Sequence, residues 1–564
     1  MRREVDLPIA FRLMQAVVCL TISSLLFTYV PPVVLASRLG LLRRDRATQE
    51  AMSSPQVWND IVASLHEAEQ REENPLPPSL YLGSDPETFA PLVYPQAAFR
   101  EHAQILGAAG SGKTSRSLMS IITQLIRRGD SSVVVIDLKG DDQMLFETSR
   151  QEAAKAGMRF RWHTLREGAS TYPMNPFTQR AMIERPGPTV ANVMTVALNL
   201  HFGIGYGTSF FSSQQTQALK VLLNQLFEKH GRPKSFRDLE YLVAETDIGL
   251  RVRQLDNMAH VMTVLGFCAD LDALNYVPEP TDDPALFRDA IDLTHPFRQP
   301  QVLFYSLSAS DGFMYSGLVG SFVMNGLVDS SHWMTAGRRT QTFVVVDEFQ
   351  QLLSPSLPEL FRQARSKDVG YIVAHQSVDD LQQRGIDIRH VTGTNTGLRQ
   401  WHTVSDEIEA ERLSKMSGTT IVKRLSQSTQ DGGFMPRSSF VQTETEVPMI
   451  PVNDILRASS RKGRSVVMLR QDVETTDFEG FAHVIQSPHT ISREEATRRE
   501  ATRWPGIIEG TMAAGVRESR TPKPPANWRP DIPKPPKNTQ TSVTIDDDEP
   551  YDEDKDDLFG ATDD

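Results

Sequence analysis

The 564-residue chain has only two cysteines, Cys19 and Cys268, far apart in sequence. This excludes a disulfide framework and a CxxC metal pair, and it fits a reducing compartment for the main body. No Ser-His-Asp set is arranged by motif, so nucleophilic catalysis finds no support. A basic excess is missing too, because the formal net charge is −12. Most of that charge is local. Residues 541–564 carry eleven acids against Lys555 alone, a balance of −10 that leaves −2 for the 540 residues before them. In a near-neutral body no overall basic character announces nucleic acid, so any DNA contact has to be local, as in a narrow channel. With 39% hydrophobic residues the chain can bury a sizeable core, and its length suits two or three globular units.

What is present centres on Gly107-Ala108-Ala109-Gly110-Ser111-Gly112-Lys113-Thr114, which fits G-x-x-x-x-G-K-[ST]. Small residues let successive backbone N–H groups curl around a β-phosphate. Lys113 reaches the β/γ oxygens, and Thr114 offers its hydroxyl to Mg²⁺. The context is the required one. Ala103 to Leu106 reads as a short buried strand, and Ser115 to Arg127 has helical apolar spacing at 118, 121, 122, 125 and 126. The expected ATP-binding set is therefore residues 107 to 114 with the following Ser115.

Two continuous apolar runs end in acids: Ser132 to Asp137, and Thr342 to Asp347-Glu348. Such runs suit strands buried on both faces of a parallel sheet. Hydrolysis needs one carboxylate for Mg²⁺ and a second group to orient water. Only the later run supplies adjacent acids, so it is read as the Walker B strand, with Asp347 on Mg²⁺ and Glu348 on the attacking water. Asp137 stays open between a turn or cap role and an active-site role. A third strand, Val369 to Ala374, leads to His375-Gln376. A polar group at the carboxyl end of a parallel strand faces the ligand crevice, so Gln376 is placed to sense the γ-phosphate. His375 points the other way and reads as structural. Arg362 and Arg365 lie on the preceding helix. Arg362 reads as solvated, and Arg365 is the candidate trans-acting arginine.

The pattern predicts an α/β fold with a mostly parallel central sheet, an inserted all-α domain, an N-terminal transmembrane helix and a disordered C-terminal tail. Residues 13 to 36 are apolar enough for one span, and the arginines at 38, 43, 44 and 46 place the downstream body in the cytoplasm. A cleaved signal peptide is the competing reading, rejected because a phosphate-loop enzyme needs cytoplasmic ATP. The expected organisation is an anchor over 1–45 and a linker over 46–90, stiffened by Pro75, Pro77 and Pro78. A nucleotide-binding domain follows in two parts, 91–186 and 291–485, with an all-α block over 187–290 between them. A charged helix and tail occupy 486–564. Residues 425–445 are polar and read as a mobile loop. Lys423-Arg424 reads as a solvated turn, with a pore contact as its alternative. From about 520 the prolines favour polyproline II and the end is acidic. That tail reads equally as a docking or masking element and as a solubilising one.

These pieces, in this order, resemble the type IV coupling proteins of bacterial conjugation and type IV secretion, the TraG/TraD-like group. The likeness spans about 91–470. It rests on His102 to Thr114, Val135 to Gly140, the helical insertion, Val346-Asp347-Glu348-Phe349, Ala364 to Lys367, Gly370 to Ser377 and Met416-Ser417-Gly418. The resemblance implies a RecA/FtsK-like ATPase, a hexameric ring at the bacterial inner membrane, and delivery of a relaxase–DNA complex and proteins to the secretion channel. The single-stranded DNA would be held independently of sequence. Carried over, Lys113 and Thr114 bind phosphate and Mg²⁺, Asp347 and Glu348 form the Walker B pair, Gln376 is the sensor and Arg365 the trans-acting arginine. Two departures stand out. There is room for about one membrane helix where relatives have two, and Leu138 stands where proline is common. The alternatives are an FtsK/SpoIIIE-like double-stranded DNA translocase, disfavoured by the proline-rich acidic end, and a nucleotide-gated membrane adaptor for protein secretion.

Overall fold

The computed structural model describes residues 53–517, except 184–212, 255–257, 278–289, 309–312, 333–338, 431–436, 470–481 and positions 74, 141, 355, 384–385, 403, 405 and 461–462. The expected membrane anchor and the proline-rich acidic tail lie outside these residues. Among the described residues no helix is long and apolar enough to cross a membrane.

The sheet begins earlier than 91. Ser54 caps α1 (Pro55–Glu69), its hydroxyl accepting the Val57 N–H, and two strands follow, β1 (Ser79–Ser84) and β2 (Pro91–Pro95). Trp58 is fully buried among Val57, Ile61, Tyr81 and Phe89. Its indole N–H donates to Ser120 Oγ at 2.9 Å, and Arg127 lies 5.1 Å over the ring. The expected linker over 46–90 is thus corrected: its helix and first strand are folded against the nucleotide-binding part. Val57 and Ile61 are buried there, and Val62 and Leu65 pack partly buried against them.

β3 (Ala103–Leu106) leads into the phosphate loop, a π-helical turn over Lys113–Leu118, and α2 (Met119–Arg128), buried from Met119 to Ile126. Then come β4 (Ser132–Asp137), α3 (Gln143–Lys155), β5 (Arg159–Thr164) and β6 (Ser170–Thr171). The expected all-α block shows helices and no strand among its described residues. Its main helices are α4 (Ser213–His230), α5 (Phe236–Glu245), α6 (Asp247–Gln254) and α7 (Met258–Asp270). The α/β alternation resumes with β7 (Gln301–Ser306), α8 (Phe313–His332), β8 (Thr342–Asp347), α9 (Leu357–Arg365), β9 (Val369–His375) and β10 (Leu398–Trp401).

After α10 (Glu407–Met416) the chain departs from expectation again. The supposed mobile loop at 425–445 lies in a ribbon of two 12-residue strands, β11 (Thr419–Gln430) and β12 (Arg437–Pro448), paired in unbroken register from Thr419↔Pro448 to Gln430↔Arg437. Its Thr and Val content suits strands, although its overall polarity suggests a loop. Lys423 and Arg424 fall within β11, so the turn reading is corrected too. Then follow α11 (Val452–Ser460), β13 (Arg464–Leu469), β14 (His483–Gln486), α12 (Arg493–Glu500) and β15 (Met512–Ala513). Ser492 caps α12 on Glu495 N, as its spacing predicts.

The main sheet has eleven strands in the order β2-β1-β14-β13-β10-β3-β9-β8-β4-β7-β5. From β10 to β5 all neighbours run parallel, and from β10 outward to β2 they run antiparallel. β4, β8 and β9 are buried along their whole length, as their continuous apolar runs demand. Register aligns the strand ends: Leu106 opposes His375, and Asp347 opposes Asp137. The phosphate loop, Asp137, Asp347-Glu348 and Gln376 therefore share the carboxyl end of four central strands.

Candidate nucleotide-hydrolysis site

The loop's backbone takes positive φ at Gly107, Gly110 and Gly112 (154°, 74° and 101°). At Gly107 an added Cβ would lie 2.6 Å from Ser111 Oγ and 2.9 Å from His402 Cβ, so no side chain fits. Ala108 and Ala109 span the turn, closed by Ser111 N donating to Ala108 O at 3.1 Å. The loop is thus curled tightly enough for its N–H groups to converge on an anion. Ser111 Oγ is buried with no hydrogen-bond partner in the protein. An orphaned hydroxyl inside a glycine cradle fits a phosphate oxygen.

Lys113 is buried, and its Nζ donates to Gly107 O at 2.6 Å. Burial pulls its pKa below the ordinary value, opposed by Glu348 and Asp347. Thr114 Oγ1 donates to Asp347 Oδ2 at 2.7 Å, closing the gap between loop and Walker B strand. A hydroxyl and a carboxylate meeting at these strand ends are the donor set a hard, oxygen-seeking cation takes. Burial raises Asp347 above the usual carboxylate range, with the Thr114 bond acting against it. Ser115 follows within the π-helical turn.

Glu348 sits at the end of β8 with φ 53° and ψ 43°, a left-handed conformation unusual for glutamate. Its Oε2 accepts from Gln376 Nε2 at 3.1 Å and from Gln350 Nε2 at 2.5 Å. Gln376 and Glu348 are therefore one hydrogen-bonded unit across adjacent strands. His375 is wholly buried, bonded to Gln104 Nε2 at 2.7 Å and to Ser377 O, and burial holds it down at about 4. Its structural reading fits these contacts. Arg365 is not gathered into this cluster: it is 57% exposed and paired with Glu101. Arg362 is also exposed and pairs with Glu359 one turn away at 3.0 Å.

Three groups near the site carry no sequence motif. Under the loop, Ser117 Oγ donates to Gln400 Oε1 at 2.8 Å and takes the Nε2–H of His402 at 2.6 Å. Gln400 in turn bonds Ser465 Oγ and Ser487 Oγ. Burial, Arg116 and Lys113 hold His402 neutral, at about 3. The only signal was polar residues at 400 and 402 in a strand otherwise fit for burial. Second, Gln350 steadies Glu348. Third, a cleft of about 410 Å³ opens beside Ala108 and Gln376, lined by Asp379, Asp380, Asp406, Glu409 and Arg412. Its three aspartates repel phosphate, so a triphosphate belongs on the loop and not in the cleft.

Residues 341–460 match the family described as the TraM recognition site of TraD and TraG. The resemblance read from the sequence is borne out over this span. Among solved structures, the chain is similar to the bacterial conjugative coupling protein TrwB. TrwB in complex with sulphate is 13% identical over 77% of this chain and 94% of that one, with a TM-score of 0.50. The TrwB structure with ADP and Mg²⁺ is 14% identical over the same shares, with a TM-score of 0.50. TrwB with the GTP analogue GDPNP is 13% identical over 76% and 92%, again with a TM-score of 0.50. At this identity the likeness establishes a shared fold. Comparison with curated protein sequences gives no match.

Proposed function

We propose that this TraG/TraD-like chain is an ATP hydrolase that couples a relaxase–DNA complex to a type IV secretion channel and drives transfer of single-stranded DNA. The observation that carries the reading is the joined set Thr114–Asp347 and Glu348–Gln376 at the mouth of a glycine cradle. The loop from Gly107 to Ser115 holds the phosphates, with Lys113 leaving the Gly107 carbonyl for the β/γ oxygens. Mg²⁺, when held by Thr114 and Asp347, supplies charge neutralisation at the phosphates. Glu348 accepts a proton from water placed in line, and Gln376, bonded to the same carboxylate, links that base to the γ-phosphate. Arg365 is exposed, as a residue serving a neighbouring subunit must be. TrwB binding ADP with Mg²⁺ on the same fold supports ATP and Mg²⁺ here. The match over 341–460 supports a relaxosome partner.

The residues at 13–36 anchor the chain in the bacterial inner membrane, its body is cytoplasmic, and a homo-hexamer forms the pore. The block over 187–290 acts as a separate all-α domain toward the relaxosome. The test is ATP turnover by the purified full chain, with and without single-stranded DNA. Lys113→Ala and Glu348→Gln are each expected to lower turnover about 10³-fold. A fluorescent ATP analogue should still bind Glu348→Gln and be lost from Lys113→Ala. Unchanged turnover in Lys113→Ala would sink the motor reading.

A further inference from the structure

The triplet Arg100-Glu101-His102 enters β3 and thereby feeds the phosphate loop, whose Gly107 lies four residues after Ala103 opens the strand. The same triplet grips the end of α9, which carries Arg365. The Arg365 guanidinium pairs with the Glu101 carboxylate. One turn earlier on α9, the Phe361 carbonyl accepts from His102 Nε2 at 2.8 Å. His102 Nδ1 accepts the Tyr371 N–H at 3.0 Å. A backbone N–H can only donate, so Nε2 must carry the proton, and the imidazole is a neutral bridge between α9 and β9. The ring is fully buried and meets Phe361 edge-on at 5.1 Å. To reach this position His102 takes φ 64°, a left-handed conformation that a residue with a Cβ adopts only when its surroundings enforce it. Arg100 and Asp368, 3.3 Å apart, secure the next turn of chain.

We infer that Glu101 is a positioning residue for Arg365, orienting its guanidinium at the subunit surface and tying it, through His102 and β3, to the subunit's own phosphate loop. The inference rests on the reading of Arg365 as an arginine that serves a neighbouring site. A long exposed arginine without a partner samples many rotamers, and ordering it at the moment of catalysis is costly. Glu101 restricts those rotamers beforehand. The pair is exposed on the arginine side, 57% against 19% for Glu101, so it is weak enough to exchange carboxylate for phosphate. The tether also gives the ring a route for order. A shift of the loop in one subunit moves β3, hence residues 101–102, hence the arginine offered to the next subunit.

Two measurements on the full chain test this. In the absence of nucleotide, phenylglyoxal labelling of Arg365, read by mass spectrometry, should run several-fold faster in Glu101→Gln than in the unaltered protein. Equal labelling overturns the ion pair. In steady-state ATP turnover, Glu101→Gln should lower kcat about tenfold at unchanged KM, Glu101→Asp should recover most of it, and Glu101→Gln should have no effect in an Arg365→Ala background. A rise in kcat would make Glu101 a competitor of the phosphate and overturn positioning, as would additive effects in the double variant. If Arg365→Ala alone leaves kcat unchanged, the reading of Arg365 fails, and that outcome is distinct from failure of Glu101. Glutamine is isosteric with glutamate at this surface site, and the labelling arm reads the folded protein directly.

Discussion

Asp137 and Asp347 stand side by side as register partners at the ends of β4 and β8. The two carboxylates have different work. Asp347 meets Thr114, whereas Asp137 Oδ1 accepts the Lys139 N–H at 3.0 Å and so turns the chain out of its strand. Burial, then Asp142 and Asp347, push Asp137 up to about 7. The folded chain thus keeps a proton that the unfolded chain releases near 3.8, and this residue's contribution to stability falls as pH rises from about 4 through about 7. Asp137→Asn keeps an acceptor for Lys139 and removes the buried charge. Without nucleotide or Mg²⁺, it should raise the thermal midpoint at pH 8 and leave it nearly unchanged at pH 4. An equal shift at both pH values in a calorimetric scan would remove the charge from the explanation. At this scale the sequence was informative where chemistry dictates spacing or strand-end placement: Lys113, Thr114, Asp347, Glu348 and Gln376. It was silent on His402 and Glu101, because their partners lie 285 and 264 positions away, and no local pattern says that β10 neighbours β3 or that α9 ends against residue 101.

The element with least signal is the strap from 501 to 517. It contains Pro505, Gly506, Gly510 and Gly515, so it shows neither helical nor strand periodicity. It is nonetheless firmly held. Trp504 stacks on Phe146 at 4.2 Å, and its indole N–H donates to Ser170 O at 2.9 Å. β15 pairs with β6, and Ala514 exchanges 2.7 Å bonds with Gly168 and Ala169. The strap then crosses to the helical block: Asp272 N donates to Gly515 O at 3.0 Å, and Arg517 pairs with Glu240 on α5 and Asp270 on α7. It therefore joins β6 and α3 to the helical block. Trp504→Ala should cost about 2 kcal/mol, less than a fully buried tryptophan, because this ring is only partly covered. A chain ended at 503 should lose hydrogen-exchange protection in α5 and α7 and keep it in β3, β8 and β9. Uniform loss would mean that the strap stabilises the whole fold and does not specifically anchor the block. The ribbon β11–β12 escaped the sequence reading for a related reason: neither strand shows strict hydrophobic alternation, and its long antiparallel pairing leaves no local sequence signal.

Across the whole molecule, burial in and around the eleven-stranded sheet disfavours the charged form of a titratable side chain. Histidine shows the consequence. Burial holds His102, His163, His375 and His489 at about 4 and His402 at about 3, against 6.5 in an exposed chain. Between about pH 4 and 6.5 the unfolded chain binds protons that the folded chain refuses, so this contribution is intact above 6.5 and is lost as pH falls toward 4. Five carboxylates oppose it: Asp137 and Glu409, both raised to about 7, and Asp142, Asp238 and Asp347, also raised by burial, favour the folded state on acidification. With His230 and His295 also depressed by burial, seven imidazoles outnumber five raised carboxylates among the described residues, so acid should win. The thermal midpoint of the full chain is expected to fall from pH 6.5 to pH 4.5, and His402→Asn should flatten that slope, because it removes the most strongly depressed group and leaves Ser117 a polar partner. Three of the affected histidines, His102, His375 and His402, sit at the loop strand, the sensor strand and the floor of the phosphate loop. Loss of ATP-analogue binding should therefore track the same pH window as unfolding, and binding that outlasts the thermal transition on acidification would separate the site from the core that carries it.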